Sequence, residues 1–144
     1  MKLLKRFLRD EHGGAEYIGF AATILLLMLV LLNLSAPIKY VFESFIMENV
    51  HRVALMEMEQ EGGLTSNIET NIVDRLKVFG FEESKISIYS PTRYPVQWGD
   101  NLELTIEYVT PYTKYSFDRF SLDEDTEDET ISITRSSVSR EYFK

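Results

Sequence analysis

The chain has no cysteine among its 144 residues, so neither a disulfide framework nor a thiolate metal site is open to it. Histidine is nearly as scarce. His12 and His51 are the only two, one in a charged leader and the other on a helical stretch, which excludes a histidine metal cluster and leaves a Ser-His-Asp site without support. No Ser-x-x-Lys, phosphate-cradling glycine loop or paired-carboxylate spacing stands out. These gaps point away from catalysis and from a cofactor. Positive charge is also short past the N-terminal third. Residues 42–144 hold 10 Lys and Arg against 20 Asp and Glu, a net of −10, and such a surface repels nucleic acid and anionic lipid.

What the sequence does have lies in its first forty residues. A basic leader, Lys2-Leu3-Leu4-Lys5-Arg6-Phe7-Leu8-Arg9, is followed by Gly13-Gly14-Ala15-Glu16-Tyr17 and then by an uncharged apolar run, Ile18 to Leu34. Carried on to Val41, that run makes a helix about 36 Å long at 1.5 Å per residue, enough to cross a bilayer. Four basic residues precede it, and Lys39 alone follows closely. The positive-inside rule therefore predicts a cytoplasmic N-terminus and an extracytoplasmic remainder, a single-pass cell-membrane protein. A removable secretory signal has the same order of parts. Here its apolar region would be longer than usual, and the one candidate cut, after Leu34-Ser35-Ala36, places Leu at the third position back and Pro37 just beyond.

Beyond the membrane segment the apolar residues Ile38, Val41, Phe42, Phe45, Ile46, Val50, Val53, Ala54 and Met58 recur at helical spacing with acidic residues among them. The membrane helix is expected to continue as an amphipathic rod until Gly62-Gly63. Thr65 or Ser66 can cap a second helix whose apolar face is Ile68, Ile72, Val73, Leu76 and Phe79, closed by Gly80. The period then shifts to two. Ile86 and Ile88, then Leu102, Leu104, Ile106 and Tyr108, then Ile131 and Ile133 alternate with polar residues, which predicts three half-buried antiparallel strands. Pro91, Pro95 and Gly99-Asp100 supply turns, and Pro111 opens a longer connection to the last strand. The expected fold is α+β: a leader over residues 1–16, a transmembrane helix over 17–41, its extracytoplasmic continuation over 42–61, and a small α+β head over 62–144.

Three further features have readings of their own. Ala15, Gly19, Ala22, Leu26, Val30 and Asn33 follow helical spacing along one stripe. Small residues let membrane helices approach closely, and an amide adds a hydrogen bond across the contact worth about 0.6–2 kcal/mol, so the stripe predicts a helical partner. Pro37 lacks an N–H and clashes with the carbonyl of Asn33, so it is expected either to kink or loosen the helix near the outer membrane surface or simply to mark the boundary there. The run Asp123-Glu124-Asp125-Thr126-Glu127-Asp128-Glu129 has six carboxylates in seven positions but neither EF-hand spacing nor a turn glycine; it reads as a solvated, self-repelling loop rather than a calcium site. Just before it, Tyr112, Tyr115, Phe117 and Phe120 either close the core beneath that loop or form a partner contact. Trp98, beside Gly99, carries the same two readings.

The order of parts resembles type IV pilin-like proteins and, more narrowly, the TadE-like minor pseudopilins of tight-adherence pilus systems, including their shorter Gram-positive relatives. The residues that carry the resemblance are Arg9-Asp10-Glu11-His12-Gly13-Gly14, Glu16-Tyr17, Glu61-Gly62-Gly63-Leu64-Thr65, Pro95-Val96-Gln97-Trp98-Gly99-Asp100 and Ser139-Arg140-Glu141-Tyr142-Phe143-Lys144. It implies a membrane-anchored pilus-assembly protein with no enzymatic activity, with other pilins and the assembly platform as partners and a prepilin peptidase as a processing enzyme. It also implies processing or subunit pairing through Gly13, Gly14 and Glu16. One spacing departs from the family. Its Glu usually falls five residues past the cut, whereas Glu16 lies two residues after Gly14 and three after Gly13. Glu16 then has two readings: a headgroup-level boundary residue beside Tyr17, or, as the resemblance implies, the partner of a neighbouring subunit's amino terminus. The alternative for the whole protein is a membrane-tethered binding or scaffold module that never enters a filament.

Overall fold

The structure, a computed structural model, describes residues 14–118 and 121–141. Helix α1, Gly14–Glu61, runs 48 residues without interruption through Pro37. Helix α2 covers Ser66–Val78, a 3-10 turn covers Glu83–Lys85, and three strands follow: β1, Ile86–Tyr89; β2, Asn101–Asp118; and β3, Ser121–Val138. The strands form an antiparallel sheet in the order β1-β2-β3, with Ile86 opposite Tyr108 and Ile88 opposite Ile106. The class is α+β, with a long apolar N-terminal helix, a second helix and a small three-stranded sheet.

The chain divides into two compact units. One contains α1 as far as Pro37 together with Thr113–Asp125; the other contains Ile38–Tyr112 together with the chain from Thr126. The core of the second unit is built from Ile46, Met47, Val50, Ala54, Leu55 and Met58 of α1, Ile68, Ile72 and Leu76 of α2, and Leu102, Leu104, Ile106 and Tyr108 of β2, with Leu64, Phe81 and Ile131 completing it. The alternation of β2 puts its even-numbered residues from Leu102 to Thr110 inside, because successive side chains on a strand face opposite ways. The inward stripe of α1 begins at Ile46, while Ile38, Val41, Phe42 and Phe45 stand exposed.

The turns follow the local chemistry. Thr65 caps α2, accepting from the Ile68 N–H at 3.4 Å, and its hydroxyl donates to Glu61 at 2.8 Å. At the other end Gly80, at φ 88°, lets the Gly80 N–H reach the Lys77 carbonyl and the Phe81 N–H reach that of Leu76, the Schellman arrangement that satisfies the last carbonyls of a helix. This geometry overturns one expected core position: Phe79 is exposed, and Phe81, past the glycine, is buried instead.

The sheet is longer than the alternation predicts. Pro111 lies inside β2 rather than opening a connection, and the acidic run Asp123–Glu129 lies in β3 rather than in a loop. Past Tyr108 the strand has no β1 partner, so Pro111 lies where its missing N–H breaks no β1–β2 ladder bond. The carboxylates of β3 are exposed, which lets the backbone pair while the charges stay in water.

Candidate functional site

The first unit sets a strand pair against the most apolar part of α1. The helix from Tyr17 onward is long and apolar enough to cross a membrane, and most of its large side chains are exposed, Ile18, Phe20, Leu26 and Leu31 among them. On one face an open apolar groove of 490 Å³ is lined by six residues between Ala22 and Leu32 of α1 and by Phe117 of β2 and Leu122 of β3. Side-chain pairs nearer the core, Thr105 with Thr134 and Glu107 with Ser132, give the register of the two long strands.

A polar clasp sits at one end of the groove. The Asn33 side-chain amide donates to the Tyr115 carbonyl at 2.8 Å, and its oxygen accepts from the Tyr115 N–H at 3.0 Å. The same amide nitrogen also reaches the Leu29 carbonyl at 3.0 Å. Asn33 thus presents one donor and one acceptor to a strand edge, as a neighbouring strand would, and satisfies both backbone groups of Tyr115 at once. Two nearby hydroxyls turn back on their own helix, Thr23 to the Gly19 carbonyl at 2.8 Å and Ser35 to that of Leu32 at 2.7 Å.

The sequence-predicted residues distribute as follows. Ala22 and Asn33 fall in the unit that also holds Phe117 and Tyr115, Ala22 on the groove wall and Asn33 in the clasp. Gly19 stands apart, and a Cβ built on it meets nothing within 4 Å. Tyr112, half-buried, belongs to the other unit. Gly14, Ala15 and Glu16 form the first turn of α1. Gly13 and Phe120 lie outside the described residues. Pro37 closes the first unit within an unbroken helix. Tyr115 and Phe117 lie in β2 rather than in a connecting loop. Trp98 is exposed. Leu122 was missed, although Thr113, Tyr115 and Phe117 already alternate with Lys114, Ser116 and Asp118 at the strand period.

In the second unit the notable ionisable group is His51, fully buried. Its Nε2 lies 2.8 Å from the Leu104 carbonyl, so Nε2 carries the proton, and Nδ1 has no partner. Burial pushes the imidazole below its usual pKa and nearby Arg135 adds to this, against the opposing pull of the Leu104 carbonyl and of Glu48. Glu48 and Arg135 are themselves paired. Burial also raises the Tyr108 phenol, and the hydrogen bonds that Lys77 donates to Glu83 and Lys85 to Glu82 raise both lysines. Among the described residues no three His, Asp or Glu converge as a metal-ligand set. No protein-family model, curated protein or solved structure matches the chain. The protein is therefore defined by its parts: a small α+β fold carried on a helix long and apolar enough to span a membrane.

Proposed function

We propose that this protein is a membrane-anchored, non-enzymatic minor pseudopilin of the TadE-like kind, contributing to assembly or initiation of a tight-adherence type IV pilus. The observation that carries the reading is one unbroken helix whose N-terminal half suits a membrane and whose C-terminal half supplies the core of an α+β unit. A basic leader ahead of that helix supports an N-terminus in the cytoplasm. The partners are other pilins and the assembly platform, with Glu16 and the Gly13-Gly14 pair as the processing and pairing residues.

The deciding experiment is mass spectrometry of the mature N-terminus, from the native membrane and from sheared surface filaments. Recovery in filaments with a new terminus beside Gly13 or Gly14 is the expected result. Absence from filaments with an intact leader overturns it. That outcome favours a tethered binding module, a second reading supported by the Asn33 amide, which is occupied within its own chain.

Gly19 gives an independent test of helix pairing. A Cβ added there meets nothing within 4 Å, so Gly19→Leu is expected to keep the fold and to block close approach by another helix. Co-purification with pilin or platform proteins is expected to drop at least about tenfold, the effect of losing about 1.4 kcal/mol of association. Unchanged co-purification removes Gly19 from any interface.

A further inference from the structure

We propose that the tip of the β2–β3 pair is an exchangeable cover for α1, which lies on the helix outside a membrane and is displaced by lipid chains when the helix enters a bilayer. The inference rests on the membrane reading of α1 and is independent of the pilus reading. Two features place the tip beside the helix: Phe117 and Leu122 line one open groove with the apolar residues between Ala22 and Leu32, none of them buried, and Asn33 clasps the Tyr115 backbone. The helix residues that share the groove with them lie in the stretch whose length and hydropathy suit the hydrocarbon core. In water the arrangement is favourable, because it shields part of one apolar face, leaving the rest exposed, and satisfies a polar amide.

Inside a bilayer the same arrangement is opposed by its own chemistry. The tip contains Asp118, Asp123, Glu124 and Asp125 against Lys114 alone among its described residues, and carboxylates are costly at membrane depth. The outer backbone edges of a strand pair cannot be satisfied by lipid either. Acyl chains, by contrast, cover the Ala22–Leu32 face at no such cost. The two covers cannot occupy that face together, so lipid shifts the population toward the uncovered helix by its preference for that state alone. Asn33 is the natural release point, since its amide can stay bonded to the Leu29 carbonyl after Tyr115 leaves.

The absence of native cysteine makes the test direct. Spin labels at Ile24→Cys and Ser116→Cys, both at exposed positions off the groove wall, report the tip-to-helix distance in the full chain. The chain is carried as a fusion to a soluble protein in detergent-free buffer and then reconstituted into phosphatidylcholine vesicles. A single short distance is expected in buffer, lengthening in vesicles by up to roughly 20 Å, the length of Thr113–Asp118 at about 3.3 Å per residue. Asn33→Leu is expected to populate the long distance already in buffer. Flotation with the vesicles, scored in parallel, separates the readings. A chain that floats while keeping the short distance overturns the exchange and leaves the membrane anchor standing. A chain that fails to float overturns the membrane reading and the exchange with it. A long distance in buffer in the unmutated background also overturns the proposal.

Discussion

Gly63→Ala is expected to destabilise the protein by about 3 kcal/mol or more, a large share of the 5–15 kcal/mol typical of a folded domain. Gly63 has φ 135°, a conformation that side-chain-bearing residues rarely adopt and that costs on the order of 1–3 kcal/mol when they do. Space is short as well. A Cβ at this position would lie 2.7 Å from the Tyr94 backbone nitrogen and 2.8 Å from its Cα, and backbone cannot step aside as a flexible side chain can. The close approach is built by the junction itself, where the Val96 N–H donates to the Gly62 carbonyl at 2.7 Å and Leu64 bridges to Arg93. Gly80→Ala is the matched control. Its φ of 88° is also positive, but its Cβ would meet nothing within 4 Å, so a loss near 1 kcal/mol is expected from backbone conformation alone. Urea midpoints of the two variants, followed by circular dichroism in the same detergent, check the difference. Equal losses would show that the Tyr94 contact carries no weight.

Acidification is the second large effect. The His51 pKa is lowered in the fold, so between the usual value near 6.5 and the folded value the unfolded chain takes up a proton that the folded chain refuses. The stability from this residue is complete above pH about 6.5 and falls with pH by about 1.4 kcal/mol per unit until the folded pKa is passed. The cause is geometric. Nδ1 is buried without an acceptor among the described residues, so a proton placed there has no carbonyl or carboxylate to receive it, and Arg135 stands near as a like charge. His51→Gln retains a donor for the Leu104 carbonyl but cannot be charged. Between pH 6.5 and 5 the urea midpoint of the unmutated protein is expected to fall more steeply than that of the variant. Parallel slopes would count against this account.

These two residues also mark how much could be read in advance. The Gly62-Gly63 pair is legible as a helix stop, and Thr65 as a cap, because both signals are local: a missing side chain, and a hydroxyl one residue before a helical period. The even-numbered residues of β2 are legible for the same reason, since alternation over Leu102–Tyr108 admits one inward face. The Tyr94 contact behind Gly63 and the buried state of His51 are not, because each depends on segments about thirty to fifty positions away. The candidate site was half visible. Ala22 and Asn33 stood out on the helix by spacing and polarity, but their intrachain counterparts, Phe117, Leu122 and the Tyr115 backbone, were hidden by Pro111 and by the carboxylates of Asp123–Glu129. Those two features mark a loop when both strand edges must be paired. They are compatible with a strand that is paired on one side and bathed by water on the other.

The way β3 is fastened to α1 has a bearing on how the chain is made. Arg135 pairs with Glu48, 87 positions earlier, and Ser137 bonds Glu59, 78 positions earlier. Arg140 reaches Glu59 twice, its backbone N–H donating to the Glu59 carbonyl at 2.8 Å and its Nε meeting the carboxylate at 3.1 Å. Contacts of such sequence separation form late, after the loop entropy between them has been overcome. During synthesis the inward stripe of α1 therefore emerges long before the strand that fastens over it. The nascent chain stays open until nearly eighty further residues follow Glu59, so a helix long and apolar enough to span a membrane is available to one well before the fold can close over it.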